Sequence, residues 1–165
     1  MSLVDYFTRK PEFDILAMEE ADCQPAAVLH RQRFAAPWSD GDLHGLIVQA
    51  PVFGLVARQS NAIVKGVTGG FVLSRAVLDE AEILTICVDP RYARTGLGWR
   101  LMQGAQREAL SRGAASMFLE VDEANVAALA LYRKLGFEKV GERRGYYQDA
   151  TGRRTAALVM RRDLR

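Results

Sequence analysis

The chain reads as a single α+β domain built on one mixed sheet, and three observations predict this. Its elements follow the order β-α-α-β-β-β-α-β-α-β-β, which mixes antiparallel hairpins with helical crossovers. Its 165 residues suit one domain with a sizeable core, and 49% hydrophobic with 25% charged residues is the balance of a globular protein. The third is residues 82–112, which read as a buried strand, a tight glycine turn and an amphipathic helix.

Residues 1–11 are mixed in character, end in Lys10-Pro11 and read as a loose N-terminus. Phe13 to Met18 is expected as the first strand. Asp22 is expected to cap a helix that runs to Phe34, with Pro25 in its first turn. Ala35-Ala36-Pro37-Trp38 breaks that helix, and Ser39 opens another to Gln49, Ser39 and Asp42 having the spacing of a capping box. Val52–Gln59 and Ile63–Leu73 read as a hairpin, and Gly69-Gly70 as a kink or a place of close packing. A turn near Asp79-Glu80 leads into Ala81–Val88. That segment is apolar or β-branched at almost every position, as in a strand covered on both faces. Asp89-Pro90 ends it, because proline cannot continue a central ladder.

Arg91-Tyr92-Ala93-Arg94-Thr95-Gly96-Leu97-Gly98-Trp99-Arg100 then opens a helix whose apolar face is Leu97, Leu101, Ala105 and Ala109, and which ends at Arg112-Gly113. Ser116–Val121 reads as a strand, Asn125–Leu135 as a helix stopped by Gly136, and Phe137–Tyr147 with Arg154–Met160 as a final hairpin. Together these give about seven strands and about four helices in one domain spanning 1–165.

Composition excludes several classes. A formal charge of +2 is too small to predict direct nucleic-acid binding. No apolar run of 18 residues predicts a membrane span, and the two cysteines, Cys23 and Cys87, lack metal-ligand spacing. These features suit a reduced, cytoplasmic chain without disulfide or metal. No Ser-His-Asp or G-x-S-x-G pattern is present, and His30 and His44 read as structural.

Some residues suggest chemistry. The turn at Arg94–Trp99 aims backbone N–H groups from a helix N-terminus, where a phosphate fits, and Arg91, Arg94 and Arg100 add positive charge. Neither the P-loop nor the G-x-G-x-x-G pattern matches, so the turn is either an ordinary strand-to-helix connection or another kind of phosphate cradle. Glu120 ends an otherwise apolar strand; it is either a partly desolvated carboxylate with a raised pKa, suited to general-base work, or a solvent-facing strand end. Tyr132 shares a helix face with Ala128, Leu131 and Leu135, as a packing residue or as a hydroxyl in need of a partner. Asn125 is a helix cap, a ligand, or both. Trp38 is a loop anchor or the wall of a cleft. The pairs Arg143-Arg144, Arg153-Arg154 and Arg161-Arg162 are phosphate or RNA ligands, or more simply solvated strand ends.

In combination these pieces resemble the GCN5-related N-acetyltransferase (GNAT) superfamily. The likeness rests on Ile86-Cys87-Val88-Asp89-Pro90, then Ala93-Arg94-Thr95-Gly96-Leu97-Gly98, then Leu119-Glu120-Val121, Asn125, and Ala130-Leu131-Tyr132-Arg133-Lys134-Leu135-Gly136-Phe137. Ala36-Pro37-Trp38-Ser39, Leu78-Asp79-Glu80-Ala81 and Arg143-Arg144-Gly145-Tyr146-Tyr147 are similar to the branch that acetylates the N-terminal alanine of a bacterial ribosomal protein.

The resemblance implies a largely antiparallel mixed sheet and acetyl-CoA as donor, with no metal. It implies that the backbone of Ile86, Cys87 and Val88 lies along the pantetheine arm. Arg94, Thr95, Gly96, Leu97, Gly98 and Trp99 would cradle the pyrophosphate, and Asn125 would contact the cofactor. Glu120 matches the general base, Tyr132 the general acid, and Trp38, Tyr146 and Tyr147 would line the acceptor site. Two positions depart from the family pattern: Ala93 stands where Gln or Arg opens the phosphate loop, and Trp99 where Arg often follows the second glycine. The implied acceptor is a protein N-terminus. The rival readings are a small-molecule amine and a non-catalytic acyl-CoA-binding module.

Overall fold

The computed structural model describes residues 10–64, 66 and 68–165. The loose terminus expected for residues 1–11 therefore lies, up to residue 9, outside the described residues. So do positions 65 and 67 of the strand expected over Ile63–Leu73.

Seven strands form one sheet: β1 (Phe13–Ala17), β2 (Val52–Gln59), β3 (Thr68–Val77), β4 (Glu80–Val88), β5 (Ser116–Asp122), β6 (Glu138–Gln148) and β7 (Arg154–Asp163). Their order across the sheet is β1-β2-β3-β4-β5-β7-β6, and every pair is antiparallel except β4 with β5. The helices are α1 (Cys23–Arg33), α2 (Asp40–Ile47), α3 (Leu97–Ser111) and α4 (Val126–Lys134). This is the predicted fold class.

Two cores lie on opposite faces of the sheet. α3 and α4 cover one, where Leu101, Met102, Ala105, Leu129 and Tyr132 meet Val72, Ile83, Met117 and Leu119. α1 and α2 cover the other, where Ala26, Leu29 and Leu43 meet Val56, Phe71, Leu73 and Cys87. That second core takes its strand residues from β2, β3 and β4 and none from β5, β6 or β7. The same face of the last three strands is left uncovered by it.

Local signals behave largely as the sequence predicts. Asp42 N–H donates to Ser39 Oγ at 3.1 Å and Ser39 N–H to Asp42 Oδ2 at 2.8 Å, completing the capping box at α2. Gly69 and Gly70 mark close packing. An added Cβ would stand 2.4 Å from the Phe13 ring at Gly69 and 2.7 Å from the Cys87 carbonyl oxygen at Gly70.

Three expectations are corrected. β3 begins at Thr68 rather than Ile63, and Ile63 and Val64 are exposed. The last β2–β3 pair is Arg58 with Thr68 and β2 stops at Gln59, so residues 63 and 64 have no strand opposite them. Asp22 makes no side-chain cap on α1; a short 3-10 turn at Glu20–Asp22 precedes the helix, and the buried Asp22 carboxylate takes Arg58 Nη2 at 2.7 Å and Glu19 N–H at 2.8 Å instead. A buried carboxylate satisfies a cation and an N–H before it serves as a cap. β4, finally, is not covered evenly on both faces: Ala81, Ile83, Thr85 and Cys87 are buried while Glu82, Leu84, Ile86 and Val88 are half-buried. A bulge causes part of this, since Leu73 pairs with Thr85 and Ser74 with Ile83, leaving Leu84 extra. The extra residue shifts the alternation, so Ala81 and Ile83 join the α3 core while Cys87 joins the α1–α2 core.

Candidate active site

The sheet opens between β4 and β5. They pair only at Glu80–Glu82 opposite Ser116–Phe118 and then part. Beyond Glu82 one strand continues to Val88 beside β3, while the other continues to Asp122 beside β7. Asp89 N–H donates to the Gly69 carbonyl at 2.8 Å. In an antiparallel pair N–H groups alternate in direction, so those of Val88 and Ile86 turn away from β3 and toward the gap. Cys87 turns its backbone to β3, which narrows the expectation for Ile86–Val88 to the two outer residues.

The strand then runs into the glycine turn. Asp89 is buried and fixes the turn: its Oδ1 accepts from Arg91 N–H at 2.9 Å and its Oδ2 from Arg91 Nη2 at 2.7 Å. Bonding to that guanidinium holds the Asp89 carboxyl below its ordinary range. Gly96 caps α3 with φ +84, and among the described residues nothing beyond its own chain neighbours lies within 4 Å of where its Cβ would be. Gly98 lies in the first turn, and a Cβ there would meet Leu131 Cδ2 at 3.4 Å and Val88 Cγ2 at 3.7 Å. The end of β4, the start of α3 and the side of α4 thus converge on one small cradle. Leu97 is buried in the core, so its backbone alone faces out, and Trp99 is half-buried against the same core. The Thr95 hydroxyl donates to the Tyr92 carbonyl at 2.7 Å.

The three arginines expected to share this turn do not act together. Arg91 is tied to Asp89, and Arg100 Nη2 donates to the Phe13 carbonyl at 2.7 Å. Arg94, with φ +61, is exposed at the turn. Asn125 caps α4 through Oδ1, which accepts Ala128 N–H at 3.2 Å; the residue is exposed, so both readings of it remain compatible.

Tyr132 sits on α4, buried, with its ring edge-on to Phe137 at 6.0 Å. Burial pushes its hydroxyl up to about 12, and the fields of Cys87 and Tyr147 add to the effect. Those two neighbours belong to β4 and β6, strands that lie on either side of the opening. Burial also pushes the Cys87 thiol up to about 12, so it stays protonated and packs.

Glu120 lies on the other side of the opening. Met117, Leu119 and Val121 point into the α3 core, so Phe118, Glu120 and Asp122 occupy the opposite face, the one α1 and α2 leave uncovered. The carboxylate is part-buried, its side chain 28% exposed, and it carries a partner that neither expectation included: Arg143 Nη2 stands 2.9 Å from Oε1. Arg143 in turn lies over the Tyr146 ring, 5.5 Å from its centre, and Tyr146 meets Tyr147 edge-on at 5.1 Å. Burial raises the Tyr147 hydroxyl above its ordinary value, and the Glu120 charge raises it further. Glu120, Arg143, Tyr146 and Tyr147 therefore form one group. Glu123 is outside it, because its Oε1 accepts Ala156 N–H at 2.8 Å and binds β5 to β7.

Trp38 packs on the α1–α2 core. Its backbone N–H donates to His30 Nδ1 at 3.0 Å, and its ring stacks on the His30 ring at 5.1 Å. His30 is buried beside Phe71, and burial lowers its pKa, which keeps it neutral as an acceptor. Phe71 pairs with Cys87, so Trp38 approaches the opening from the α1–α2 side. A cavity of about 380 Å³ between Phe13, Tyr92, Leu97 and Arg100 lies behind the turn, away from Glu120 and Tyr132.

The residue that the sequence undervalued is Arg143. Read as part of a solvated arginine pair, it is the cation on Glu120; the Arg-Arg-x-Tyr-Tyr spacing was the only signal for it. No group of three or more potential metal ligands occurs among the described residues.

A strand pair that parts beside a glycine-capped helix defines a class, and the chain belongs to the acetyltransferase (GNAT) family, whose family model matches residues 16–137. Among its relatives, it is 34% identical over 145 residues to the [ribosomal protein bS18]-alanine N-acetyltransferase of Escherichia coli, covering 88% of this chain and 94% of that one. It is 38% identical over 151 residues to the N-alpha-acetyltransferase RimI of Mycobacterium tuberculosis, covering 89% and 90%. The crystal structure of the ribosomal-protein-S18-alanine N-acetyltransferase from E. coli superposes with a TM-score of 0.83 at 33% identity, over 93% of this chain and 94% of that one. Arabidopsis thaliana NAA60 in complex with acetyl-CoA shares the fold, with a TM-score of 0.82 at 16% identity over 92% and 98%.

Proposed function

We propose that this protein transfers the acetyl group of acetyl-CoA to the N-terminal α-amine of a protein, an Ala-starting ribosomal protein being its acceptor. The observation that carries the reading is the opening between β4 and β5, with Glu120 at one side and Tyr132 at the other. The similarity to alanine N-acetyltransferases over nearly the full length of the chain supports the acceptor class. Such an acceptor puts the reaction in the cytoplasm.

The residues present fit acetyl-CoA. The backbone of Ile86 and Val88 offers an unused strand edge to an extended amide arm, in the manner of an added strand. The α3 N-terminus, with Gly96 and Gly98 at its first turn, accepts phosphates on backbone N–H groups, and no side chain at Gly98 closes the approach. Bound there, acetyl-CoA supplies an activated thioester carbonyl.

The chain's own residues divide the proton work. Glu120 takes the proton of the attacking amine, directly or through a water. Val88 N–H, aimed into the gap, stabilises negative charge on the carbonyl oxygen. Tyr132 keeps its proton at neutral pH and offers it to the leaving sulfur. Burial raises the Tyr132 hydroxyl above its ordinary value, so its proton leaves only as charge develops on the sulfur. Transfer is direct, since Cys87 is protonated and packed. Fixing both partners in line supplies much of the acceleration.

Incubation with acetyl-CoA and a peptide panel, followed by mass spectrometry, tests the reading. Acetyl on the α-amine of Ala-starting ribosomal peptides is expected. Acetyl only on internal lysines, or turnover of spermidine or an aminoglycoside with none on those peptides, would overturn it.

A further inference from the structure

We infer that Arg143 selects the charge of the acceptor: by occupying the Glu120 carboxylate, it makes the site favour amines that arrive neutral over amines held as cations. The inference rests on Glu120 being the base of the proposed reaction.

The geometry is specific to this pair. Across β7, the residue in line with Glu120 is Val159, and beyond it Gly141. Arg143 stands two rows further along, the next on the same face, in line with Ala157 and Asp122. It nonetheless reaches back to Glu120 at 2.9 Å, over the position where Gly141 has no side chain. The guanidinium is braced on its other side by the Tyr146 ring, 5.5 Å away. The bulge that follows Arg143, where three residues (144–146) replace one before Tyr147 pairs with Thr155, sets that ring in place. Glu120 is thus faced by Arg143 and Tyr147 from β6 and by apolar Val159 from β7, with Asp122 on its own strand. On β4, Glu82 is engaged by Arg75 at 2.8 Å. Among the described residues, Arg143 is the one cation in an ion pair with Glu120.

The chemical consequence follows from charge. A bare carboxylate beside a substrate cleft attracts ammonium ions, and an ammonium has no lone pair with which to attack. Paired with Arg143, the carboxylate still accepts a hydrogen bond from a neutral amine, while a second cation meets the guanidinium. At neutral pH an α-amine with a pKa near 8 is neutral roughly 250 times more often than a lysine side chain near 10.4. Arg143 therefore adds to a preference that already favours N-termini, and it disfavours polyamines, which at neutral pH still carry a second charge after the attacking amine has lost its proton.

The full-length chain carrying Arg143→Gln or Arg143→Lys tests this. Steady-state kcat and KM are measured for an Ala-starting peptide and for spermidine, with tetramethylammonium as an inhibitor that has no proton to lose. Arg143→Gln is expected to strengthen inhibition by tetramethylammonium and to raise the spermidine-to-peptide ratio of kcat/KM, each about three- to tenfold, the scale of one partly exposed charge pair. Arg143→Lys, which keeps the charge, should stay near wild type in both. Equal loss on both acceptors with unchanged inhibition, or Arg143→Lys behaving like Arg143→Gln, would overturn the inference in favour of a packing role. Inhibition is read with whichever acceptor the protein turns over. A protein inert on Ala-starting peptides thus removes the proposed acceptor, and the inhibition series alone still decides Arg143.

Discussion

Replacing Tyr132 by Phe separates the chemistry of this site from its packing. The ring keeps its edge-on contact with Phe137 at 6.0 Å, and among the described residues the hydroxyl makes no hydrogen bond that would be lost. Stability at pH 7 should change by less than about 1 kcal/mol. Turnover should fall roughly 10²-fold, equivalent to about 2.7 kcal/mol of transition-state stabilisation, with acetyl-CoA affinity little altered. A second signature comes from pH. In the folded protein the hydroxyl holds its proton to about pH 12, whereas in the unfolded chain it ionises from about pH 10. Above pH 10 the unfolded state binds fewer protons, so stability falls as pH rises toward 12, by on the order of 3 kcal/mol from this residue. Cys87, raised from 9.0 to about 12, adds a loss of the same sign that begins near pH 9. Denaturant melts between pH 8 and 12 should therefore show a steeper alkaline decline in wild type than in Tyr132→Phe. Free-CoA release gives kcat, and calorimetric titration gives the affinity. A mutant rate within about twofold of wild type would refute the proton-donor role, whatever the melts show.

Other perturbations are more local. Glu120→Gln should bind acetyl-CoA normally and lose turnover, with partial recovery at high pH where more acceptor is neutral; full activity at pH 7 would reassign the base. Gly96→Val should weaken acetyl-CoA binding because φ +84 is strained for a β-branched residue, and not because the side chain meets protein atoms. Unchanged affinity in a folded mutant, read by titration, would remove the turn from the binding site. Asn125→Ala should cost about 1 kcal/mol in denaturant melts through the lost bond to Ala128 N–H, and Asn125→Ser should restore most of it. No recovery with Ser would favour a role for Asn125 beyond the cap.

What the sequence determined by itself was local and periodic. The strand–glycine–helix run at 82–112, the capping box at Ser39, the stop at Gly136 and the fold class are written in spacing, because apolar periodicity and φ-permissive residues act within a few positions. The order of motifs added the family and, through it, the positions of Glu120 and Tyr132. Tertiary structure decided what those residues meet. The parting of β4 from β5 after three pairs depends on which strands hydrogen-bond, and nothing in either strand's composition states it. The bulge at Leu84, which moves Cys87 to the other core, is a register effect invisible in an unbroken apolar run. The partners of the charges were also undecided by sequence. Asp22 and Arg58 are 36 residues apart, and Arg143 reaches Glu120 from a different strand. Ion pairs are chosen by distance in space, and residues equally charged in sequence become a tether, a solvated end or the partner of Glu120 only when the sheet closes around them.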